Sequence, residues 1–134
     1  LSYESFLGSG HGDFGEHTLY AHKDVAIHVA IADTNIQRQQ GLGGRTGMGA
    51  NEGMLFVFST SERWRIWMRD MLFGIDILWL GEDGTVLDMY EYVYPESYPF
   101  VFEPGEPARY ILEVNAGFAG ANGIRVGDTL EMGL

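Results

Sequence analysis

Three ionisable side chains in this sequence are best placed to do chemistry. Asp76 and Glu113 each interrupt a strongly apolar stretch, and Arg45 follows a glycine-rich turn. Two carboxyl groups can act as general acid and general base, while a guanidinium group can hold a carboxylate through two parallel hydrogen bonds. The set predicts either a hydrolase-like site in which Arg45 holds the substrate, or salt bridges that fasten a loop to the fold.

The stretch around Glu113 alternates between a polar and an apolar side, as expected for a strand. Glu113 shares the polar side with Arg109 and Asn115, whereas Leu112 and Val114 face the opposite way. Such a polar side is either a ligand-binding surface or the solvent-facing side of an antiparallel sheet. Both interpretations are compatible with the sequence.

Aromatic residues make up 13% of the chain, and rigid rings beside polar groups favour sugars, peptides or protein partners. We expect a ligand to bind on the sheet face or barrel mouth that carries the polar groups. Residues 94–107, which contain all four prolines, are expected to form its lid. The candidate ligand-binding residues are Arg45, Glu52, Trp67, Asp76, Arg109, Glu113 and Asn115, and the candidate catalytic residues are Asp76 and Glu113.

Metal and cofactor chemistry has little support in the sequence. Cysteine is absent, and the four histidines lie within the first 28 residues without the paired spacing of a metal site. The carboxylates of Glu52, Asp76 and Glu113 form an oxygen-only alternative that would suit calcium. A serine-nucleophile elbow, a phosphate-binding loop and a dinucleotide fingerprint are all missing. We therefore predict no cofactor and no metal.

Length and charge limit the possible partners. A chain of 134 residues is suited to one domain, and its net charge of −11 repels nucleic-acid phosphates. The nearest basic cluster, residues 63–69, has acidic neighbours, so we expect no nucleic-acid partner. No apolar run is long enough to span a bilayer, and we expect a soluble, acidic protein. Because the chain begins with Leu1 rather than Met, we also expect a trimmed or mature form.

Apolar alternation and turn residues predict short strands with little helix. A capping box of Thr34 and Gln37 predicts a helix over residues 34–41, and Asn115 is expected to cap a short glycine–alanine turn or helix. The predicted strands are residues 25–32, 53–58, 64–68, 75–80, 86–93, 109–114 and 124–132.

This pattern predicts a mainly β fold, a single-domain antiparallel β-sandwich or barrel with one or two short helices. Residues 1–22 are rich in glycine, serine and histidine without a strand or helix period. We expect residues 1–22 to be an N-terminal tail or arm, and residues 23–134 to form the β domain.

Short motifs recur in a fixed order between roughly residues 25 and 132. They are Gly41-Leu42-Gly43-Gly44-Arg45, Gly53 to Phe58, Trp67-Met68, Ile75-Asp76-Ile77, Leu112 to Gly117 and Gly123 to Asp128. This series resembles the uncharacterised bacterial and archaeal family known as domain of unknown function 192 (DUF192). Two positions depart from the family pattern, which usually has Met in place of Gly43 and Asn or Lys-Asn in place of Arg69-Asp70.

The resemblance implies a jelly-roll-like β domain that often follows a bacterial signal peptide, so we expect a periplasmic or secreted location. It implies no established activity. We expect a non-catalytic, extracytoplasmic binding domain for a small ligand, a glycan or a protein segment. The alternatives are a hydrolase-like enzyme that uses the carboxylate pair Asp76 and Glu113, and a purely structural or interaction module.

Overall fold

The computed structural model describes residues 14–134 of the chain. The expected N-terminal tail therefore divides into two parts. Residues 1–13 lie outside the described residues, whereas residues 15–21 form a strand that pairs with the rest of the sheet. The β domain thus begins earlier than the expected boundary at residue 23. The pattern there is faint because only Leu19 and Ala21 of this strand enter the core.

Strands are the main elements of the described part of the chain. The strands are β1 (Gly15–Ala21), β2 (Val25–Ala32), β3 (Glu52–Glu62), β4 (Ile66–Trp67), β5 (Ile75–Leu80), β6 (Val86–Val93), β7 (Val101–Phe102) and β8 (Ala108–Asn115). The helices are α1 (Asn35–Gln40) and α2 (Phe118–Ala121), with a single 3-10 turn at Pro95–Ser97. The mainly β prediction with two short helices is confirmed.

Six strands form one sheet in the order β1-β2-β3-β8-β5-β6, and β4 pairs with β7 in a separate ribbon. The pairing of β2 with β3 is parallel, while the other pairings in the large sheet are antiparallel. The sheet is therefore mixed rather than wholly antiparallel. It is also open, with β1 and β6 as its edges, so a barrel or jelly-roll is not confirmed.

Local sequence accounts for several of these elements. Thr34 Oγ1 accepts a hydrogen bond from the Gln37 backbone N–H at 3.1 Å, and Gln37 Oε1 accepts one from Thr34 N–H at 3.2 Å. This reciprocal capping box starts α1 at the predicted position. In β2, the alternation of Ile27 and Val29 with Ala30 and Ala32 places apolar side chains on both faces.

The large sheet is covered on both faces, which explains why its central strands are apolar throughout. One side, here called the C-terminal face, carries Leu55, Leu78 and Leu112 and packs against α2 and the C-terminal segment. The other side, here called the pocket face, carries Met54 and Ile77. It packs against side chains of the connections that follow α1 and β4, chiefly Leu42, Met48, Met68 and Met71.

Three expected segments differ from the structure. Residues 124–132 make isolated bridges from Thr129 and Glu131 instead of a strand, although Leu130 still packs on the C-terminal face. Only Ile66–Trp67 of the expected strand 64–68 pairs, and its partner Val101–Phe102 lies within the expected long loop.

Among residues 14–134, no helix is both long and apolar enough to cross a membrane.

Candidate functional site

Glu113 lies at the centre of the pocket face, on β8. Its strand neighbours on either side are Met54 of β3 and Ile77 of β5. The residue is only 4% exposed, and burial raises the pKa of its carboxyl group to about 8. Within residues 14–134, no side chain or backbone group makes a hydrogen bond or ion pair with this carboxyl group. An unpartnered carboxyl group in an apolar setting is neutral at pH 7 and can donate a hydrogen bond.

A cavity of about 600 Å³ lies directly above Glu113. Its walls come from the second half of α1, the turn that follows α1, and the segment around β4. The lining residues are Arg38, Gln39, Gln40, Gly41, Leu42, Gly43, Phe56, Arg65, Ile66, Trp67, Met68, Arg69, Asp70, Met71 and Glu113. This size is within the range of small-molecule sites, which are typically about 300–1,000 Å³.

Three of the eight basic residues of the chain line this cavity. Arg38 donates hydrogen bonds of 2.7 Å to the Val57 carbonyl and to Asn35 Oδ1, neither of which neutralises its charge. Arg69 lies 3.8 Å from the Asp70 carboxylate, and both side chains are well exposed, so this ion pair is weak. Arg65 has no ion pair with any of the residues that the structure describes.

Trp67 is the second of the predicted site residues that the structure brings to the cavity. Its ring is 45% exposed and lies 5.3 Å from the ring of Tyr98. The Arg69 guanidinium also lies over this ring, 5.8 Å from its centroid. Trp67 therefore gives the cavity an aromatic wall that is in contact with both solvent and a cationic side chain.

Asp76 occupies the opposite face of the sheet from Glu113. It is paired in register with Val114, whereas Glu113 is paired with Ile77, so the two carboxyl groups point in opposite directions. Asp76 is fully buried, and its oxygens accept hydrogen bonds from the backbone N–H groups of Tyr92, Gly117 and Ala119 at 2.9 to 3.1 Å. The predicted acid–base pair is wrong, because the two groups cannot reach one substrate bond.

Glu52 and Asn115 fasten the loop that precedes β3. Glu52 Oε1 accepts a 2.7 Å hydrogen bond from the Gly49 backbone, and Asn115 Nδ2 donates to the carbonyls of Gly49 and Met48 at 3.0 and 3.4 Å. Asn115 is therefore not the cap that the sequence predicted for the following helix, whose N-cap residue is Gly117. Both side chains hold the loop in place at the edge of the pocket face.

The two remaining candidate arginines also lie away from the cavity lining. Arg109 donates to the Phe58 carbonyl and, at 3.1 Å, to the Glu82 carboxylate. Arg45 lies in the turn after α1, where burial lowers the pKa of its guanidinium. Among the described residues no ion pair joins Arg45 to Asp76 or Glu113, so the salt bridges predicted from Arg45 to these carboxylates are not formed.

The expected lid and the oxygen-only metal site are both absent from the described part of the chain. Residues 94–107 do not line the cavity; they support its wall, through the pairing of β7 with β4. In residues 14–134, no three histidine or carboxylate side chains lie close enough together to hold a metal ion. The physical reason is the strand register, which separates Asp76 from Glu52 and Glu113.

Sequence reasoning missed most of the cavity lining. Arg38 lies on a helix noted only for its capping box, and Met71 lies in a connection with no motif. Arg65 and Arg69 could have been identified from the sequence, because they belong to a cluster of basic residues in an otherwise acidic chain. Two positions that depart from the family pattern, Gly43 and Arg69-Asp70, also line the cavity.

Comparison with known proteins places these features in a family. A protein from Sinorhizobium meliloti 1021, provisionally described as a transcription regulator, has a similar structure with a TM-score of 0.84 and 30% identity, covering 92% of this chain and 98% of that one. A protein of unknown function from Novosphingobium aromaticivorans DSM 12444 has a TM-score of 0.80 and 26% identity, covering 87% and 84%. No curated protein matches the chain. The profile of DUF192, described as an uncharacterized ACR family, matches residues 18–132, and the chain belongs to this family.

Proposed function

We propose that this protein is a non-catalytic, extracytoplasmic binding domain whose small ligand occupies the cavity above Glu113. The single observation that carries the proposal is a buried carboxyl group without a hydrogen-bond partner at the base of a cavity of about 600 Å³. A carboxyl group that makes no hydrogen bond to the described residues is available to form one with a ligand in the cavity. The location outside the cytoplasm rests on the family resemblance alone.

The composition of the lining favours binding over catalysis. Glu113 and Asp70 are its only acidic residues, and the lining contains no serine, threonine, tyrosine, histidine or lysine. A nucleophile and a second group for proton transfer are therefore missing from this set. The hydrolase-like alternative loses its basis because Asp76 faces away, and a purely structural module would leave Glu113 paired and the cavity closed.

The description of the Sinorhizobium protein as a provisional transcription regulator suggests a role in gene regulation as a second candidate. The net charge of −11 disfavours direct contact between this protein and DNA. A ligand-sensing domain in a regulatory system would still require the cavity that we describe. The binding proposal is therefore the one that the observations support.

Methionine-methyl NMR tests the binding proposal directly, because the six methionines report on both faces of the sheet. Met68 and Met71 line the cavity, whereas Met132 lies on the C-terminal face. We expect that a screen of small carboxylic acids, phosphate esters, sugars and amines contains probes that shift the Met68 and Met71 signals and leave Met132 unchanged. Single Met→Leu variants assign the three signals.

The matched control compares two glutamate substitutions. Glu113→Leu removes the buried acid among apolar neighbours and should abolish or strongly weaken the shifts, whereas Glu106→Gln, on the exposed surface, should leave them intact. The proposal is contradicted when no probe class moves the Met68 and Met71 signals. It is also contradicted when Met132 moves with them, since a shift on both faces indicates general association.

A further inference from the structure

We propose that the ligand is an amphipathic organic anion, with its acidic group at the arginine rim formed by Arg38, Arg65 and Arg69, an apolar middle, and a far end that reaches Glu113. This inference rests on the proposed binding function and adds the chemical class of the ligand. Its basis is the order of chemical groups from the mouth of the cavity to its base.

The mouth of the cavity is positively charged, although the protein as a whole is strongly acidic. Three arginines line the cavity against a single aspartate, Asp70, while Glu113 is protonated. Arg65 has no acidic partner in the described residues, and the contact of Arg69 with Asp70 is long and exposed. Guanidinium groups in this state are suited to bind a carboxylate or a phosphate group.

The buried part of the cavity lining is mostly apolar. Leu42 and Met68 are almost fully buried, and Phe56 and Met71 are nearly so. Methionine side chains are flexible and polarisable, so they adapt to aliphatic or aromatic groups of different shape. A ligand that is only an inorganic anion would leave these side chains without contacts.

The arginines and Glu113 lie at different depths. Glu113 is only 4% exposed, whereas Arg65 and Arg69 are exposed, and among the described residues no ion pair joins an arginine of the lining to this carboxyl group. A ligand that contacts both must therefore extend from the exposed arginines to the buried carboxyl group. The arrangement fits an elongated molecule whose far end accepts a hydrogen bond from protonated Glu113.

Protonation of Glu113 should therefore affect anion binding. The charged groups that face the cavity are Arg38 from α1, Arg65, Arg69 and Asp70 from the segment around β4, and Glu113 itself from β8. Of these, the carboxyl group of Glu113 has a pKa of about 8, so it gains a negative charge as the pH rises through that value. The affinity for an anion should then fall, because the new charge repels the ligand and the hydrogen-bond donor is lost.

Four probes with the same six-carbon chain and different head groups test this inference on the 134-residue chain. The probes are hexanoate, hexyl phosphate, hexan-1-ol and hexylamine, each titrated while the Met68 and Met71 methyl signals are recorded. We expect at least one of the two anions to bind about tenfold more tightly than hexan-1-ol, the magnitude of one charge-assisted hydrogen bond, and hexylamine to bind least. The two anions separate carboxylate from phosphate recognition.

Arginine substitutions provide the matched control. The double variant Arg65→Gln/Arg69→Gln should lose most of the preference for anions and keep its affinity for hexan-1-ol. Arg125→Gln removes an exposed arginine at another site and should change neither value. Equal binding of hexan-1-ol and both anions, or an unchanged preference in the double variant, overturns the inference. In that outcome the binding proposal stands so long as some probe moves the Met68 and Met71 signals, and it falls only when none does.

Discussion

Glu113 and Asp76 are both buried carboxyl groups in adjacent strands, yet their surroundings differ in hydrogen-bonding capacity. Three backbone N–H groups donate to Asp76, whereas Glu113 faces Met54, Ile77 and a cavity. Donated hydrogen bonds favour a carboxylate, and an apolar environment favours a neutral acid. Asp76 therefore holds backbone groups together on one face of the sheet, while Glu113 borders the cavity on the other.

The raised pKa of Glu113 makes stability depend on pH in a defined direction. The folded state binds its proton up to about pH 8, while the unfolded chain releases the proton near 4.5. Below 4.5 both states are protonated, and above 8 both have lost the proton. Between these values the free energy of unfolding should fall as the pH rises, by at most about 1.4 kcal/mol per pH unit.

Chemical denaturation of the parent and of Glu113→Gln across this pH window measures the effect. Glutamine does not titrate, so the variant should gain stability relative to the parent as the pH approaches 8. Glu106→Gln, an exposed position, should follow the parent at every pH. Parallel curves for the parent and Glu113→Gln would contradict the assigned protonation of Glu113.

At the scale of elements, α2 depends on a side chain from another strand. This helix has only four residues, and its N-cap Gly117 has no side chain to cap it. Asp76 replaces that cap by accepting from Gly117 and Ala119, and it also accepts from Tyr92, which adopts a positive φ of 54° in an irregular part of β6. One carboxylate thus connects β5, β6 and the start of α2.

Substitution Asp76→Asn should therefore destabilise the C-terminal face. Asparagine offers one oxygen and a donor group in place of two oxygens, so at least one backbone N–H group loses its partner. We expect a loss of about 2–4 kcal/mol in the free energy of unfolding. Faster hydrogen exchange at Gly117 and Ala119 would accompany it. The control Asp24→Asn changes an exposed aspartate and should have little effect; equal stability of both variants would contradict this role.

The sequence predicts elements well where one local pattern determines them. The capping box places α1, the alternation in β2 places that strand, and residues 86–93 form β6 as expected. Prediction fails where long-range pairing decides the structure. Strand β7 has two residues and exists through its pairing with β4, and residues 124–132 are held by isolated bridges instead of a ladder.

In the candidate site, too, a local sequence pattern identifies some residues, whereas long-range packing determines which others join them. Glu113 stands out in the sequence because a charged residue inside an apolar strand needs an explanation. Its neighbours in the cavity come from α1 and from the segment around β4, more than forty positions earlier in the chain. Only the folding of these connections over the pocket face brings Arg38, Arg65 and Met71 together above Glu113.

For the whole molecule, the distribution of charge matters as much as its sum. Arg38, Arg65 and Arg69 gather around one cavity, while the net charge is −11. At physiological salt, exposed charges are screened over about 8 Å, so a small anion inside the cavity responds mainly to the nearby arginines. A long polyanion spans many screening lengths and encounters the acidic surface as well.

We therefore expect the protein to bind no duplex DNA at physiological ionic strength, although the arginine cluster attracts small anions. The reason is that neutralising a series of phosphates requires an extended basic surface, whereas this cluster is confined to a cavity mouth in an acidic protein. Fluorescence anisotropy of a labelled mixed-sequence duplex measures this, with a lysine-rich peptide as the positive control. Lowering the salt should produce little binding, because the long-range field is repulsive. A saturable rise in anisotropy that weakens steeply with added salt, and that is lost in Arg65→Gln/Arg69→Gln, would show instead that the arginine rim contacts phosphate backbones.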